Sequence, residues 1–189
     1  STPEAVNIEK SQSAVPDRYP EYPDHNRLES VYSVNDSGKK SLTTLIFPHN
    51  HLVTKPTFEK FSSEDFEGIK FTNSSVKDYL ISSENNLVEF DDSSYKGHLC
   101  WARKKDNKLL SFFVKSGTSF LDNGVGFEAD NPLTIYVNGT KGIVITEGAT
   151  LKLNGSALAG VNFDSNVTVK SSSGDHIEVV LEKGQYKFQ

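Results

Sequence analysis

Only one cysteine occurs in the 189 residues, Cys100, and there is no methionine. A single thiol excludes a disulfide framework within the chain. Cys100 alternates with apolar neighbours and reads as a buried, unreactive side chain. A natural precursor begins with Met, so the chain is expected to be a processed product or a piece of a longer protein, whose localisation signal could lie in the missing part. No apolar run approaches the about 20 residues that span a bilayer, and no signal peptide is recognisable. Basic charge is also scarce: 20 Lys+Arg stand against 25 Asp+Glu, for a net charge of −5. The longest basic run is Arg103-Lys-Lys105. A sequence-independent nucleic-acid binder carries a basic face, so that class of partner is set aside. Apolar residues make up only 35% of the chain, although 12 Phe and 7 Tyr add core volume. Finally, no stretch has a convincing helical period.

What is present is a series of short alternating runs. Pro132-Leu-Thr-Ile-Tyr-Val137, Gly142-Ile-Val-Ile-Thr146, Thr150-Leu-Lys-Leu153, Asn166-Val-Thr-Val-Lys170 and Asp175-His-Ile-Glu-Val-Val-Leu181 are each bounded by Gly, Asn, Asp or Ser. Strands at this spacing with turn residues between them predict an all-β antiparallel sandwich or barrel. The alternation assigns faces: Ile177, Val179 and Leu181 point one way, His176, Glu178 and Glu182 the other, and Leu151/Leu153 and Val167/Val169 flank polar residues in the same manner. Earlier in the chain, strands are expected near Gly68–Phe71, Lys77–Ile81, Asn86–Phe90, Tyr95–Arg103 and Lys108–Lys115, with Lys104–Asn107 as a hairpin turn. Leu28–Val34 and Leu42–Phe47 flank Asn35-Asp-Ser-Gly38 and read as another hairpin. Residues 1–27 are polar and Pro-punctuated and read as an extended arm or linker. Pro48 to Phe61 reads as loop. The expectation is an arm over 1–27 and one sandwich of about ten to fourteen strands over 28–189.

Few residues carry recognisable chemistry. In Phe47-Pro48-His49-Asn50-His51 the two imidazoles are two apart, so an extended backbone would aim both to one side. A distant carboxylate or His would have to complete a metal shell; a solvated loop is the default for a spacing that recurs by chance. Gly97-His98-Leu-Cys-Trp101-Ala-Arg103 holds the only Trp. Extended, it puts Leu99, Trp101 and Arg103 on one side. A Trp exposed beside Arg could stack on a sugar ring and pair with its carboxylate. The preferred reading is nonetheless a core Trp whose strand reaches solvent at Arg103. No Gly-x-Ser-x-Gly elbow or phosphate-binding glycine loop occurs. Asp91-Asp92 and Glu64-Asp65 sit beside Ser and read as turns. So do the five Asn-x-Ser/Thr sequons at Asn35, Asn73, Asn138, Asn154 and Asn166.

An ordered set of segments carries a family resemblance. Arg27-Leu-Glu-Ser-Val-Tyr-Ser-Val34 leads into Ser41-Leu-Thr-Thr-Leu-Ile-Phe-Pro48. Asp78-Tyr-Leu-Ile81, Val88-Glu-Phe-Asp91, Tyr95–Arg103, Leu110–Phe120, Gly126-Phe-Glu-Ala-Asp130 and Leu133-Thr-Ile-Tyr136 follow. This order, over residues 27–137, resembles the C-terminal β-sheet region of heparinase II/III-like polysaccharide lyases. The resemblance implies a helical toroid catalytic domain upstream as partner, an acidic uronic-acid polysaccharide as substrate of the parent enzyme, cleavage by β-elimination, and a periplasmic or secreted bacterial location. No catalytic motif of that family maps onto this chain. The expectation is thus an accessory, structural sandwich that is not an enzyme on its own and needs no cofactor, a structural metal at His49 and His51 being the one candidate. The alternative is a free-standing carbohydrate-binding or adhesion sandwich. Trp101 and Arg103 are the candidate carbohydrate-binding residues.

Overall fold

The computed structural model describes residues 7–13, 25–31 and 56–189. The chain divides into two compact units, Ser1–Pro48 and His49–Gln189. In the first, β1 (Asn7–Ser13) pairs antiparallel with β2 (His25–Val31), from Asn7↔Val31 to Ser13↔His25. Part of the expected arm is therefore paired strand. The partner expected for Leu28–Val34, namely Leu42–Phe47, lies outside the described residues, as do His49 and His51.

The second unit is antiparallel sheet almost throughout. Its strands are β3 (Thr57–Ser62), β4 (Phe66–Asn73), β5 (Val76–Ser83), β6 (Leu87–Phe90), β7 (Ser93–Lys96), β8 (Leu99–Lys105), β9 (Lys108–Asp122), β10 (Val125–Asn138), β11 (Lys141–Thr146), β12 (Ala149–Asn154), β13 (Thr168–Ser172), β14 (His176–Leu181) and β15 (Gly184–Phe188). One four-residue helix, α1 (Ser156–Ala159), interrupts them. Among the described residues no helix is long and apolar enough to cross a membrane. The all-β antiparallel class and the expected strand number are both present.

The long β9–β10 hairpin organises the unit, because each of its strands changes partner midway. Residues 108–115 of β9 pair with β8, whereas 119–122 pair with β7. Residues 126–129 of β10 pair with β12, whereas 133–138 pair with β11. Two sets of strands result, joined through the hairpin: β13-β14-β12-β10-β9-β7-β6, and β15-β11-β10-β9-β8-β5-β4-β3. The register of β10 against β9 shifts between Glu128 and Leu133, where Asn131-Pro132 sits. A Pro is tolerated inside a strand at such an irregularity because no ladder donor is needed there. On β9 the change of partner falls at Ser116–Thr118, beside the β7–β8 link. A Cβ on Gly117 would lie 2.4 Å from Val114 Cγ1 and 2.7 Å from the Lys96 carbonyl oxygen, so only glycine allows the backbones to approach this closely.

Rings from both strand sets fill the space inside the bend. Phe112 stacks on Phe120 with centroids 4.5 Å apart, and Phe127 lies beyond Phe112 at 6.1 Å. Tyr79 of β5 meets Phe90 of β6 at 5.1 Å. These belong to one contiguous core with Ile81, Val114, Ile135, Val144, Leu151, Leu153 and Val179. Cys100 is fully buried there, and burial pushes its thiol pKa well up, so it is unreactive near neutrality. Ile177, Val179 and Leu181 are buried as their alternation predicts. Val179→Asp should therefore cost about 3 kcal/mol or more, since an unpaired carboxylate would enter the core. Urea denaturation checks this, and an unchanged midpoint would refute the inward assignment.

Four expectations need correction. Tyr95–Arg103 is not one strand: β7 ends at Lys96 and β8 begins at Leu99, one on each side of the corner. Part of the expected 48–61 loop is β3, the last strand of the sheet among the described residues, where Phe61 packs against the core and Phe58 against Phe71 of β4. Val169 is 53% exposed rather than inward, on a strand that ends the sheet among the described residues and whose register against β14 shifts between Val169 and Ser171. Trp101 is not a core residue: its neighbours Cys100 and Ala102 hold the buried face of β8, and Trp101 is half-buried on the opposite one.

Candidate functional site

Parity along each strand, combined with register, defines the outer face of the second strand set. On β8, Cys100, Ala102 and Lys104 are buried while Leu99, Trp101, Arg103 and Lys105 face outward. Register then carries the face sideways. Trp101 lies opposite Leu80 of β5 and Phe113 of β9. Phe113 lies opposite Tyr136 of β10, Tyr136 opposite Ile143 of β11, and Leu80 opposite Ile69 of β4. Ile69, Leu80, Trp101, Phe113, Tyr136 and Ile143 thus form one apolar row across six adjacent strands. With strands about 4.8 Å apart, the row is about 24 Å long. Its members are half-buried, except that Tyr136 and Ile143 reach 38% and 37% exposure. Each core-facing residue on these strands is satisfied from inside, so the row is what the alternation leaves on the outer side.

A second row runs beside the first, one pleat along. Asp78 of β5 lies opposite Arg103 of β8, Arg103 opposite Ser111 of β9, Ser111 opposite Asn138 of β10, and Asn138 opposite Lys141 of β11. Arg103 grips Asp78 with both forks, Nε to Oδ1 at 2.7 Å and Nη2 to Oδ2 at 2.8 Å. The same guanidinium stands 5.4 Å from the centre of the Trp101 ring. This fixes Arg103 over one part of the indole and leaves its outward N–H groups for a ligand. The face therefore offers an apolar stripe and a parallel polar stripe, both held by sheet, with Ser111 of the polar stripe buried beneath its neighbours.

Sequence reasoning singled out Trp101 and Arg103, and they are adjacent on this face. It missed Ile69, Leu80, Phe113, Tyr136 and Ile143. A signal was present in Phe112-Phe113 and Ile135-Tyr136, since adjacent large apolar residues in a strand must point to opposite sides. Joining them into a row required the register, which a single sequence does not give.

The remaining candidates among the described residues do not assemble into a metal or catalytic group. Among the described residues no group of three or more His, Cys, Asp or Glu is placed to hold a metal, and His49 and His51 lie outside those residues. Asp65 caps a turn, with its N–H donating to Ser63 Oγ at 3.1 Å and its Oδ1 accepting from Asn86. Asp91 accepts from the Tyr79 hydroxyl. Burial first, then this bond, raise the Tyr79 pKa far above that of a useful base. Ser171, His176 and Asp175 meet on the β13–β14 hairpin, but Ser171 donates to Glu178 Oε2 at 3.2 Å and stands 3.5 Å from His176 Nε2. That separation is at the outer limit of a hydrogen bond. No protein-family model and no curated protein matches the chain.

Proposed function

We propose that this domain is a non-catalytic glycan-binding β-sandwich, acting as an accessory module of a bacterial polysaccharide lyase of the heparinase II/III type. The observation that carries the reading is the pair of parallel rows: Leu80, Trp101, Phe113, Tyr136 and Ile143 beside Asp78, Arg103, Ser111, Asn138 and Lys141. A sugar ring presents C–H groups on its flat face and hydroxyls at its edge. An apolar stripe with donors and acceptors along one side complements that shape, with aromatic rings for stacking and polar groups for orientation. The lyase assignment rests on the ordered sequence resemblance, and with it come an upstream toroid domain, an acidic polysaccharide and a periplasmic or secreted setting.

The test is calorimetric titration with heparin, chondroitin sulfate, alginate and a neutral β-glucan, alongside near-ultraviolet absorbance of the same mixtures. Saturable binding to at least one polysaccharide is expected, with no growth of the absorbance that an unsaturated elimination product carries. Absence of saturable binding to every polymer would overturn the glycan reading. Clear turnover by the pure chain would overturn its non-catalytic part.

A further inference from the structure

The core holds an amine and a carboxyl group placed against each other, and the glycan reading uses neither. Lys104 points inward from β8, and its Nζ lies 2.5 Å from Oδ1 of Asp122, the last residue of β9. Their side chains are only 3% and 4% exposed. Ser93 of β7, opposite Asp122 in the sheet and itself buried, donates from Oγ to the same Oδ1 at 2.8 Å. The centre of the Tyr79 ring stands 5.8 Å from Nζ, and the Tyr79 hydroxyl donates to Asp91. A nucleophile, an electrophile and a hydroxyl donor on that electrophile thus meet in a space closed to water. The contact also spans the bend of β9. Lys104 belongs to the strand set of β8, whereas Asp122 lies where β9 pairs with β7 in the other set. With one cysteine the chain cannot fasten these two parts by a disulfide.

We propose that Lys104 and Asp122 condense into an intramolecular amide, a covalent staple between β8 and the far end of β9. The proton that makes the two groups ions has only to pass along the contact, from Nζ to the carboxylate, to leave an amine against a carboxylic acid. The nitrogen lone pair adds to Cγ of Asp122. The oxygen held by Ser93 carries the negative charge of the tetrahedral intermediate, as in an oxyanion hole. The other carboxyl oxygen departs as water, with the acid proton and one proton from nitrogen, and the held oxygen becomes the amide carbonyl. One C–N bond forms, one C–O bond breaks, and nothing is oxidised or reduced. Two features of the site drive the step. Groups held in contact react as though at an effective concentration of up to about 10⁵–10⁸ M. Exclusion of water removes the reagent that would hydrolyse the product. Chain that has not condensed carries the ion pair, and the two forms differ in mass by one water.

Electrospray mass of the intact folded chain, as purified and after several days at neutral pH, reads the step directly. The expected result is a species lighter by one water, whose share grows with time. Trypsin should release from it a branched peptide, Lys104-Lys105 joined to residues 116–141, because cleavage after Lys104 requires a free ammonium. The double variant Lys104→Met/Asp122→Leu should keep its full mass throughout. Ser93→Ala should slow the mass loss by about 10²-fold or more, as loss of an oxyanion donor does, with circular dichroism matching the parent. An unchanged rate in that variant would remove Ser93 from the step. Parent chain that keeps its full mass over the whole period overturns the proposal. So does a water loss that trypsin places in a succinimide within one peptide, or one that the double variant shows equally.

Discussion

Lys104→Ala should lower the stability of the chain by about 3–5 kcal/mol, the cost of leaving one partner of a buried ion pair alone. Lys104 points inward from β8 with a side chain only 3% exposed, and its Nζ lies 2.5 Å from Oδ1 of Asp122, itself 4% exposed. The same oxygen accepts from Ser93 Oγ at 2.8 Å. Lys104 also stands 5.8 Å from the centre of the Tyr79 ring. The pair joins β8, in one strand set, to the far end of β9, where that strand pairs with β7 in the other. It is a polar clasp across the opening of the bent hairpin. Removing the ammonium strands a desolvated carboxylate. For a chain of this length the melting midpoint should fall by roughly 2–4 °C per kcal/mol. The double variant Lys104→Met/Asp122→Leu removes both charges and should recover most of the loss, because an apolar pair of similar volume has no desolvation cost to offset. Urea denaturation of both variants decides the matter. If Lys104→Ala unfolded within about 1 kcal/mol of the parent, the clasp would carry no weight in the fold.

That lysine also shows what the sequence could and could not convey. Arg103-Lys-Lys105 reads as a solvated basic run, yet its middle member is among the most buried charges described. Parity held the clue: Cys100 and Ala102 share Lys104's side of β8. The pairing with Asp122 could not be foreseen, since it depends on how sharply β9 bends. In β14, by contrast, Ile177, Val179 and Leu181 alternate with hydrated neighbours on a strand with no bulge, so local pattern and final burial agree. β9 and β10 were hard to read for the reason that makes them important. Their interiors hold Ser116-Gly117 and Asn131-Pro132, residues that ordinarily end strands, and here they mark where a continuous strand changes partner. Trp101 was misread because a composition preference for burying Trp was weighed above the parity of its own strand. The candidate site was legible as a pair, Trp101 and Arg103. Its extension into a row was not, because register joins residues as distant in sequence as Ile69 and Ile143.

Trp101→Ala should abolish saturable glycan binding at a modest cost in stability, about 1–3 kcal/mol. A Trp packed entirely inside would cost about 3–5 kcal/mol on truncation; Trp101 is half-buried and leaves its outer surface to solvent, so only part of that loss applies. Arg103 would lose the ring it stands over but keep both bonds to Asp78, which limits disturbance to the centre of the row. Trp101→Phe retains a flat ring in register with Leu80 and Phe113 and should keep measurable binding. The parent offers an independent readout, because Trp101 is the only Trp in the chain. Saturating oligosaccharide should alter its emission and protect it from a soluble quencher, with the same midpoint as the calorimetric titration. Trp101→Ala binding as tightly as the parent, with intact circular dichroism, would remove the indole from the site. Unchanged emission at saturation would move the sugar off this face altogether, and leave the apolar row to be explained as a surface for a protein partner.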